Sequence, residues 1–149
     1  MSLFSVFDIT GSAMSAQSVR MNLTASNIAN AQSLSSSDGE VYQARHPIFV
    51  AKDSDFSQSL SSEMNMFSGN ANGAGVEVRE IVESQRSGEL RYEPDHPMAD
   101  EKGYVQYPNV NIMEEMANMI SASRSFQTNV DALETTTQMM ERLLALGKG

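Results

Sequence analysis

The stretch IMEEMANMISASRSFQTNVDALETTTQMMERLL, residues 112–144, decides the fold because its apolar residues recur at alternating steps of four and three. This seven-residue repeat is typical of helices that pack against other helices as coiled coils. The sequence therefore predicts one long amphipathic helix that needs helical partners. The register runs through Ile112, Met116, Met119, Ser123, Phe126, Val130, Leu133, Thr137, Met140 and Leu144.

Both ends of this helix carry recognisable signals. Pro108 precedes it, and Asn111 is a suitable N-cap that would accept a hydrogen bond from the Glu114 amide. Gly147 is a natural C-terminal stop. The predicted helix is about 50 Å long at 1.5 Å per residue, whereas a compact domain of this size is roughly 40 Å across. The helix should therefore extend beyond a single globule.

The N-terminal segment predicts a second helix with two apolar stripes, and such a helix needs two neighbours. It is rich in serine, threonine, asparagine and glycine, which together cost roughly 5 kcal/mol relative to alanine. We therefore expect this arm to be helical only when it is packed. One stripe contains Ile9, Ala16, Val19 and Leu23, and the other contains Met14, Met21, Ala25 and Ile28.

The small, polar stretch TASNIANAQSLSSSDG, residues 24–39, follows this helix. Asparagine tolerates the left-handed conformation, and its amide can satisfy the backbone groups that a helix end leaves unpaired. Asn27 and Asn30 therefore predict a helix C-cap followed by a flexible exit.

The region between the arms predicts a small β-rich unit. EVYQARHPIFVA and GVEVREIVES read as strands, and shorter extended pieces punctuated by proline and glycine follow them. Residues 53–75 lack periodicity and predict a flexible insertion. The expected organisation is an α+β fold with a helical arm at 1–30, a β-rich centre at 31–107 and a second helical arm at 108–149.

Composition argues against several classes of function. The formal charge of −9 repels nucleic acids and anionic membrane surfaces. No apolar run approaches the roughly 18 residues that a spanning helix needs. The N-terminus carries no signal-peptide pattern, and the absence of cysteine excludes disulfides and thiolate chemistry.

Candidate chemistry is sparse. Asp95, His96 and Asp100, with His46 elsewhere in the chain, could ligate a metal ion. They fall in a proline-punctuated loop, however, where Asp95 and Asp100 are better explained as acceptors of local backbone hydrogen bonds. The sequence therefore favours a protein with no catalytic residues, no metal and no cofactor.

Three segments carry a resemblance to a known family. ASNIANAQS (residues 25–33) closes a helix that begins SLFSVFDITGSAMSAQSVRMN, and this pair resembles the signature of bacterial flagellar rod and hook proteins. YEPDHPMADEKGYVQYPNVN (92–111) and MISASRSFQTNVDAL (119–133) are similar to a proximal-rod member of that family. Residues 53–75 show no family pattern.

The resemblance implies a structural subunit of the flagellar proximal rod, polymerising through its terminal helices into the drive shaft. It implies export from the cytoplasm through the flagellar type III apparatus without a cleaved signal peptide, and a final place in the basal body, where the rod crosses the periplasm. The implied partners are further copies of the chain, other rod proteins, the export apparatus and the protein at the junction of the MS ring and the rod. Nucleic acid and membrane insertion are not expected.

Two sets of residues follow for assembly. Asn27, Ile28, Ala29 and Asn30 match the family motif, and we assign them to the turn that leaves the inner layer of helices. Spacing alone predicts a helix packing seam, which comprises Ile9, Ala16, Val19, Leu23, Met116, Met119, Phe126, Val130, Leu133, Met140 and Leu144.

Two alternatives from other classes stay open at the level of sequence. The eleven methionines could form an adaptable groove in a soluble helical adaptor or export chaperone that binds a partner helix. A metal-dependent enzyme using His96 and Asp100 is the other.

Overall fold

A computed structural model describes residues 3–34, 41–52 and 75–147. The chain has a helix near each end and two small antiparallel sheets between them in sequence, which confirms the predicted α+β class. The predicted flexible insertion lies outside the described residues except for Gly75. None of the described helices is long and apolar enough to cross a membrane. The elements are α1 (Leu3–Asn30), β1 (Arg45–Ala51), β2 (Val76–Glu83), β3 (Leu90–Tyr92), β4 (Tyr104–Gln106) and α2 (Ile112–Leu146).

Helix α2 begins and ends at the predicted signals. The Oδ1 atom of Asn111 accepts hydrogen bonds from the backbone N–H groups of Met113, at 3.1 Å, and Glu114, at 3.4 Å, which confirms the N-cap. Gly147 is the C-cap and donates its N–H to the carbonyl oxygen of Leu143 at 3.1 Å. Its φ of −80° is helical, so the glycine ends the helix without using a left-handed conformation.

The two helices pack antiparallel. Arg20 donates to the Asn118 side chain at 3.0 Å, and Asn27, further along α1, donates to Glu115, earlier in α2. Extending this register at equal rise places the start of α1 beside roughly residue 137 of α2. We call residues 137–146 the overhang, because they continue past the described part of α1.

Strands β1 and β2 form an antiparallel hairpin, and both strands contact α1. Their register runs from Arg45↔Glu83 to Ala51↔Val76, with a bulge between Ile48 and Phe49. Near one end, Arg45 bonds to Asn27; near the other, the Val76 N–H donates to Ser12 Oγ at 3.1 Å. Helix α1 therefore has two neighbours within its own chain, α2 and this hairpin.

Strands β3 and β4 form a second, shorter hairpin, with Tyr92 opposite Tyr104. The two rings meet edge to face with centroids 5.3 Å apart. Gly103 has a φ of +80° in the connecting turn, a conformation that glycine adopts without strain. Within the described ranges, neither strand packs on a helix or on the first hairpin.

The fully buried interior of the described chain is small, and half of its residues are polar. Its buried apolar residues are four alanines, Ala16, Ala31, Ala44 and Ala122, together with Val105. The buried polar residues are Thr10, Thr24, Asn27, Glu115 and Thr136. Several large apolar side chains of α2, among them Met113, Ile120 and Leu144, are exposed, and the others are only half-buried. Exposed large apolar groups in this number are unusual for a globular domain.

Candidate functional site

The side chain of Asn27 joins three elements of the fold. It is completely buried, in the last turn of α1. Its Oδ1 accepts from the Arg45 N–H at 2.9 Å and from the Tyr42 hydroxyl at 2.8 Å. Its Nδ2 donates to the Arg45 carbonyl at 2.9 Å and to Glu115 Oε2 at 3.1 Å. All four of its hydrogen-bonding capacities are used, which is what a buried amide requires.

Asn109 makes a second clamp beside the first. Its Oδ1 accepts from the Ala44 N–H at 2.8 Å, and its Nδ2 donates to the carbonyls of Ser84, at 3.1 Å, and Arg86, at 2.7 Å. Asn27 thus holds residue 45 and Asn109 holds residue 44. The base of the first hairpin is therefore fixed where α1 ends and α2 begins. We call Asn27, Tyr42, Arg45, Asn109 and Glu115 the asparagine junction.

Glu115 brings a buried carboxyl group into this junction. Its side chain is 4% exposed, and Oε1 lies 4.0 Å from Nδ1 of the half-exposed His46. Burial of a carboxylate is costly unless donors face it, and Asn27 supplies the closest one. Arg45 points outward and pairs with Glu83 at 2.8 Å, half exposed on both sides. Such an exposed pair adds little to stability.

The structure corrects the predicted role of Asn27. The helix continues through it to Asn30, so Asn27 does not cap the end but connects α1 to β1 and α2. Asn30 stands at the helix end and donates Nδ2 to the Ser26 carbonyl at 2.8 Å. Of the two other motif residues, Ile28 is half-buried and Ala29 is exposed. Sequence reasoning missed Tyr42, Asn109 and Glu115, because none stands in a hydrophobic pattern.

The predicted seam residues divide by their exposure in the single chain. On α1, Ala16 is buried and Ile9, Val19 and Leu23 are half-buried. On α2, two are exposed, Met116 at 50% and Leu144 at 67%. The half-buried residues of α2 are Met119, Phe126, Val130, Leu133 and Met140. As a surface between subunits, the seam stays a prediction.

The most buried residues of α2 do not belong to the predicted register. Each of them immediately precedes a register position, as Glu115 precedes Met116. The column that they form contains Glu115, Ala122, Asn129 and Thr136, again seven apart, of which all but the half-buried Asn129 are buried. Small side chains let helices approach closely, and the polar ones find partners nearby. Thr136, for example, donates its hydroxyl to the Ala132 carbonyl at 2.8 Å. We call these four residues the inner column.

The outward side of α2 carries large apolar side chains. Met113 is 75% exposed, Met116 50% and Ile120 55%. Their spacing of three and four places them on one side of the helix. We call these three residues the outer face. Clusters of exposed apolar side chains are more frequent at interaction surfaces than elsewhere on proteins.

The loop with the candidate metal ligands is organised by turn chemistry. Asp100 Oδ1 accepts from the N–H groups of Lys102, at 2.9 Å, and Tyr104, at 2.8 Å, and His96 Nδ1 accepts from the Met98 N–H at 3.1 Å. Within the described residues, no group of three or more histidine, aspartate or glutamate side chains could hold a metal ion.

Family models match both helical ends of the chain. A model described as "Flagella basal body rod protein" matches residues 7–32, which includes Asn27. A model described as "Flagellar basal body rod FlgEFG protein C-terminal" matches residues 101–146.

Curated relatives named flagellar basal-body rod protein FlgC are similar over almost the whole chain. The relative from Escherichia coli O6:H1 is 45% identical over 148 residues, covering 99% of this chain and 100% of its own. Those from Salmonella typhimurium and Bacillus subtilis are 43% and 38% identical with the same coverage. These names give no support to the adaptor alternative.

Proposed function

The chain belongs to the FlgC family of flagellar basal-body rod proteins, and we propose that its paired helices build the rod by packing on neighbouring subunits. As a member of this family it is a structural subunit of the rod in the basal body. We further infer that it works without catalysis, and that the helical arms at 1–30 and 108–149 carry assembly while residues 31–107 form a separate centre.

The observation that carries this proposal is the distribution of side chains. The helix pair encloses alanines, threonines and an asparagine, while Met113, Met116 and Ile120 lie outside. A pair of this composition leaves part of its large apolar surface exposed to water in the single chain. Covering the outer face with helices of other subunits would add hydrophobic free energy, at about 25 cal/mol per Å² of apolar area.

We infer the export route, the location and the neighbours of this subunit from its membership of the family. We propose that the chain leaves the cytoplasm unfolded through the flagellar type III export apparatus and joins the rod in the periplasm, in its proximal part. The proposed neighbours are further copies, other rod proteins and the protein at the MS-ring junction. The sparse apolar interior supports this route, because a chain that gains its stability on assembly stays easy to unfold before it.

A substitution on the outer face tests the packing role. Ile120→Asp should abolish incorporation into basal bodies, because a charge would have to be buried between subunits. The single chain should keep its fold, since Ile120 is already 55% exposed. Incorporation is measured by immunoblotting purified basal bodies, and folding by circular dichroism.

Thr128→Asp is the matched control, since it adds the same charge to an exposed position of the same helix. It should incorporate nearly normally. Normal assembly of Ile120→Asp would remove the outer face from the interface.

A further inference from the structure

The side chain of Gln17, in the middle of α1, holds a buried polar atom that has no hydrogen-bond partner. Its Oε1 is shielded from water, and no group of the described residues donates to it. Within the described ranges, no other buried side-chain nitrogen or oxygen is left in this state. A buried oxygen without a donor costs free energy, because it has lost its hydrogen bonds with water and gained none. This exception therefore calls for an explanation.

Gln17 lies on the stripe of α1 that faces α2. The stripe continues from Gln17 at alternating steps of three and four, which places its members on one side of the helix. Two of them, Arg20 and Asn27, hydrogen-bond to side chains of α2. The other two, Thr24 and, just past the helix end, Ala31, are buried. Gln17 therefore belongs to the contact between the two helices.

The facing part of α2 supplies no donor to this amide. The antiparallel register places Gln17 close to the level of Ala122, which is 0% exposed and presents only a methyl group. The next polar member of the inner column, Asn129, donates its Nδ2 to the Ser125 carbonyl within its own helix at 2.7 Å. The oxygen of Gln17 is thus enclosed beside groups that cannot pair with it.

The space that Gln17 fills does not require a polar side chain. Methionine is also unbranched, has nearly the same length, and has a similar helix propensity. It would occupy this position without burying an unpaired oxygen. Glutamine therefore makes the contact between the helices weaker than their fit alone would allow.

We propose that Gln17 is a built-in weak point, which keeps the helix pair of the single chain easy to open. The hydrogen bonds of Arg20 and Asn27 align the helices, whereas Gln17 lowers the free energy gained when they close. The inference rests on the proposed function, because a subunit that is exported unfolded must first open its helix pair. In the rod, the cover that other subunits give to the outer face offsets the cost of the unpaired oxygen.

Urea denaturation of the purified single chain tests the weak point. In Gln17→Met, the equilibrium constant for unfolding should fall about tenfold or more, because a buried unpaired group is removed. Gln138→Met is the matched control, since it makes the same chemical change at an exposed position on the overhang. There the constant should change by no more than about twofold.

A second variant at the same position guards against a misfit of methionine. Gln17→Leu removes the same polar atoms with a side chain of a different shape. Stabilisation beyond that of the control by either variant supports the weak point. Stabilisation by neither variant overturns it, because the amide would then cost the helix pair nothing.

Export is measured in cells, as the rate at which labelled chain leaves the cytoplasm. A process that captures the open state of a protein follows the population of that state. Gln17→Met should therefore be exported up to about tenfold more slowly than Gln138→Met. A stabilised Gln17→Met chain that is exported as fast as the control overturns the role of the weak point in export.

Immunoblots of purified basal bodies separate this inference from the proposed function. An unmodified chain that is absent from basal bodies contradicts the proposed function, whatever the stability of the variants. An unmodified chain that incorporates, together with position-17 variants that are no more stable than it, contradicts only the weak point.

Discussion

At Asn27, one side chain makes contacts that are usually made by backbone. Its amide pairs with both the N–H and the carbonyl of Arg45, as the peptide group of an adjacent strand would. The same amide reaches Glu115 across the helix pair. Alanine or leucine at this position could fill space but could not align a helix, a strand and a second helix. Asparagine at position 27 is thus explained by its contacts, which hold α1, β1 and α2 in their relative orientation, more than by the turn that follows the helix.

Replacing Asn27 should therefore be far more costly than replacing its neighbour in the motif. Asn27→Ala leaves the N–H and carbonyl of Arg45 and the Glu115 carboxylate without this partner, and each buried unpaired group costs about 1–3 kcal/mol. We expect a loss of about 3 kcal/mol or more in the free energy of unfolding, measured by urea denaturation.

Asn30→Ala is the matched control. Asn30 is half-buried and makes one bond within its own helix, so the expected loss is about 1 kcal/mol or less. Equal losses for the two variants would show that the asparagine junction does not fix the hairpin.

At the scale of elements, the sequence predicted what depends on local signals. Both ends of α2, the two helices and the four extended segments follow from caps, stops and periodicity. The inner column could not be predicted in this way. Hydrophobic patterning assigns apolar residues to the inside, whereas here the polar residues Glu115, Asn129 and Thr136 face the inside of the helix pair. The predicted register is consistent as a heptad, but in the single chain it lies at the edge of the contact: some of its large apolar residues on α2, such as Met116 and Leu144, are exposed, and the others are only half-buried.

The close approach of the helices gives a prediction of its own. Ala122 is 0% exposed, and the register set by Arg20 and Asn118 places it near the level of Ala16. Ala122→Leu should push the helices apart and lower the free energy of unfolding by about 1–3 kcal/mol. Thermal denaturation followed by circular dichroism measures this.

The exposed position Ala132 provides the comparison. Ala132→Leu makes the same chemical change on the same helix, where it should alter stability by no more than about 0.5 kcal/mol. If Ala122→Leu were equally silent, the helices would not be in tight contact at this level.

For the whole molecule, the distribution of side chains couples folding to assembly. The centre is organised by the asparagine junction and by turns, whereas the outer face of α2 stays exposed in the single chain and, in our proposal, is covered by other subunits. The intrinsic propensity of α1 is poor, and only Ala16 and Ala31 among its apolar residues and those just after it are fully buried in the described chain. Stability of the arms should therefore depend on the surroundings of the subunit.

Amide hydrogen exchange tests this dependence. In a dilute, monomeric sample, we expect limited protection over α1 and α2, highest near the asparagine junction; in assembled rods, the same helices should be strongly protected along their whole length. Helices that are as well protected in the monomer as in the rod would indicate a self-contained domain.

The alanine-rich interior also bears on the life of the protein in the cell. We expect a copy that has not joined a rod, with its outer face uncovered, to open more often than an incorporated copy and so to be more accessible to proteases. A copy held in a rod does not open. Surplus subunits should therefore be degraded quickly while incorporated ones persist, and turnover would correct any overproduction of this one component.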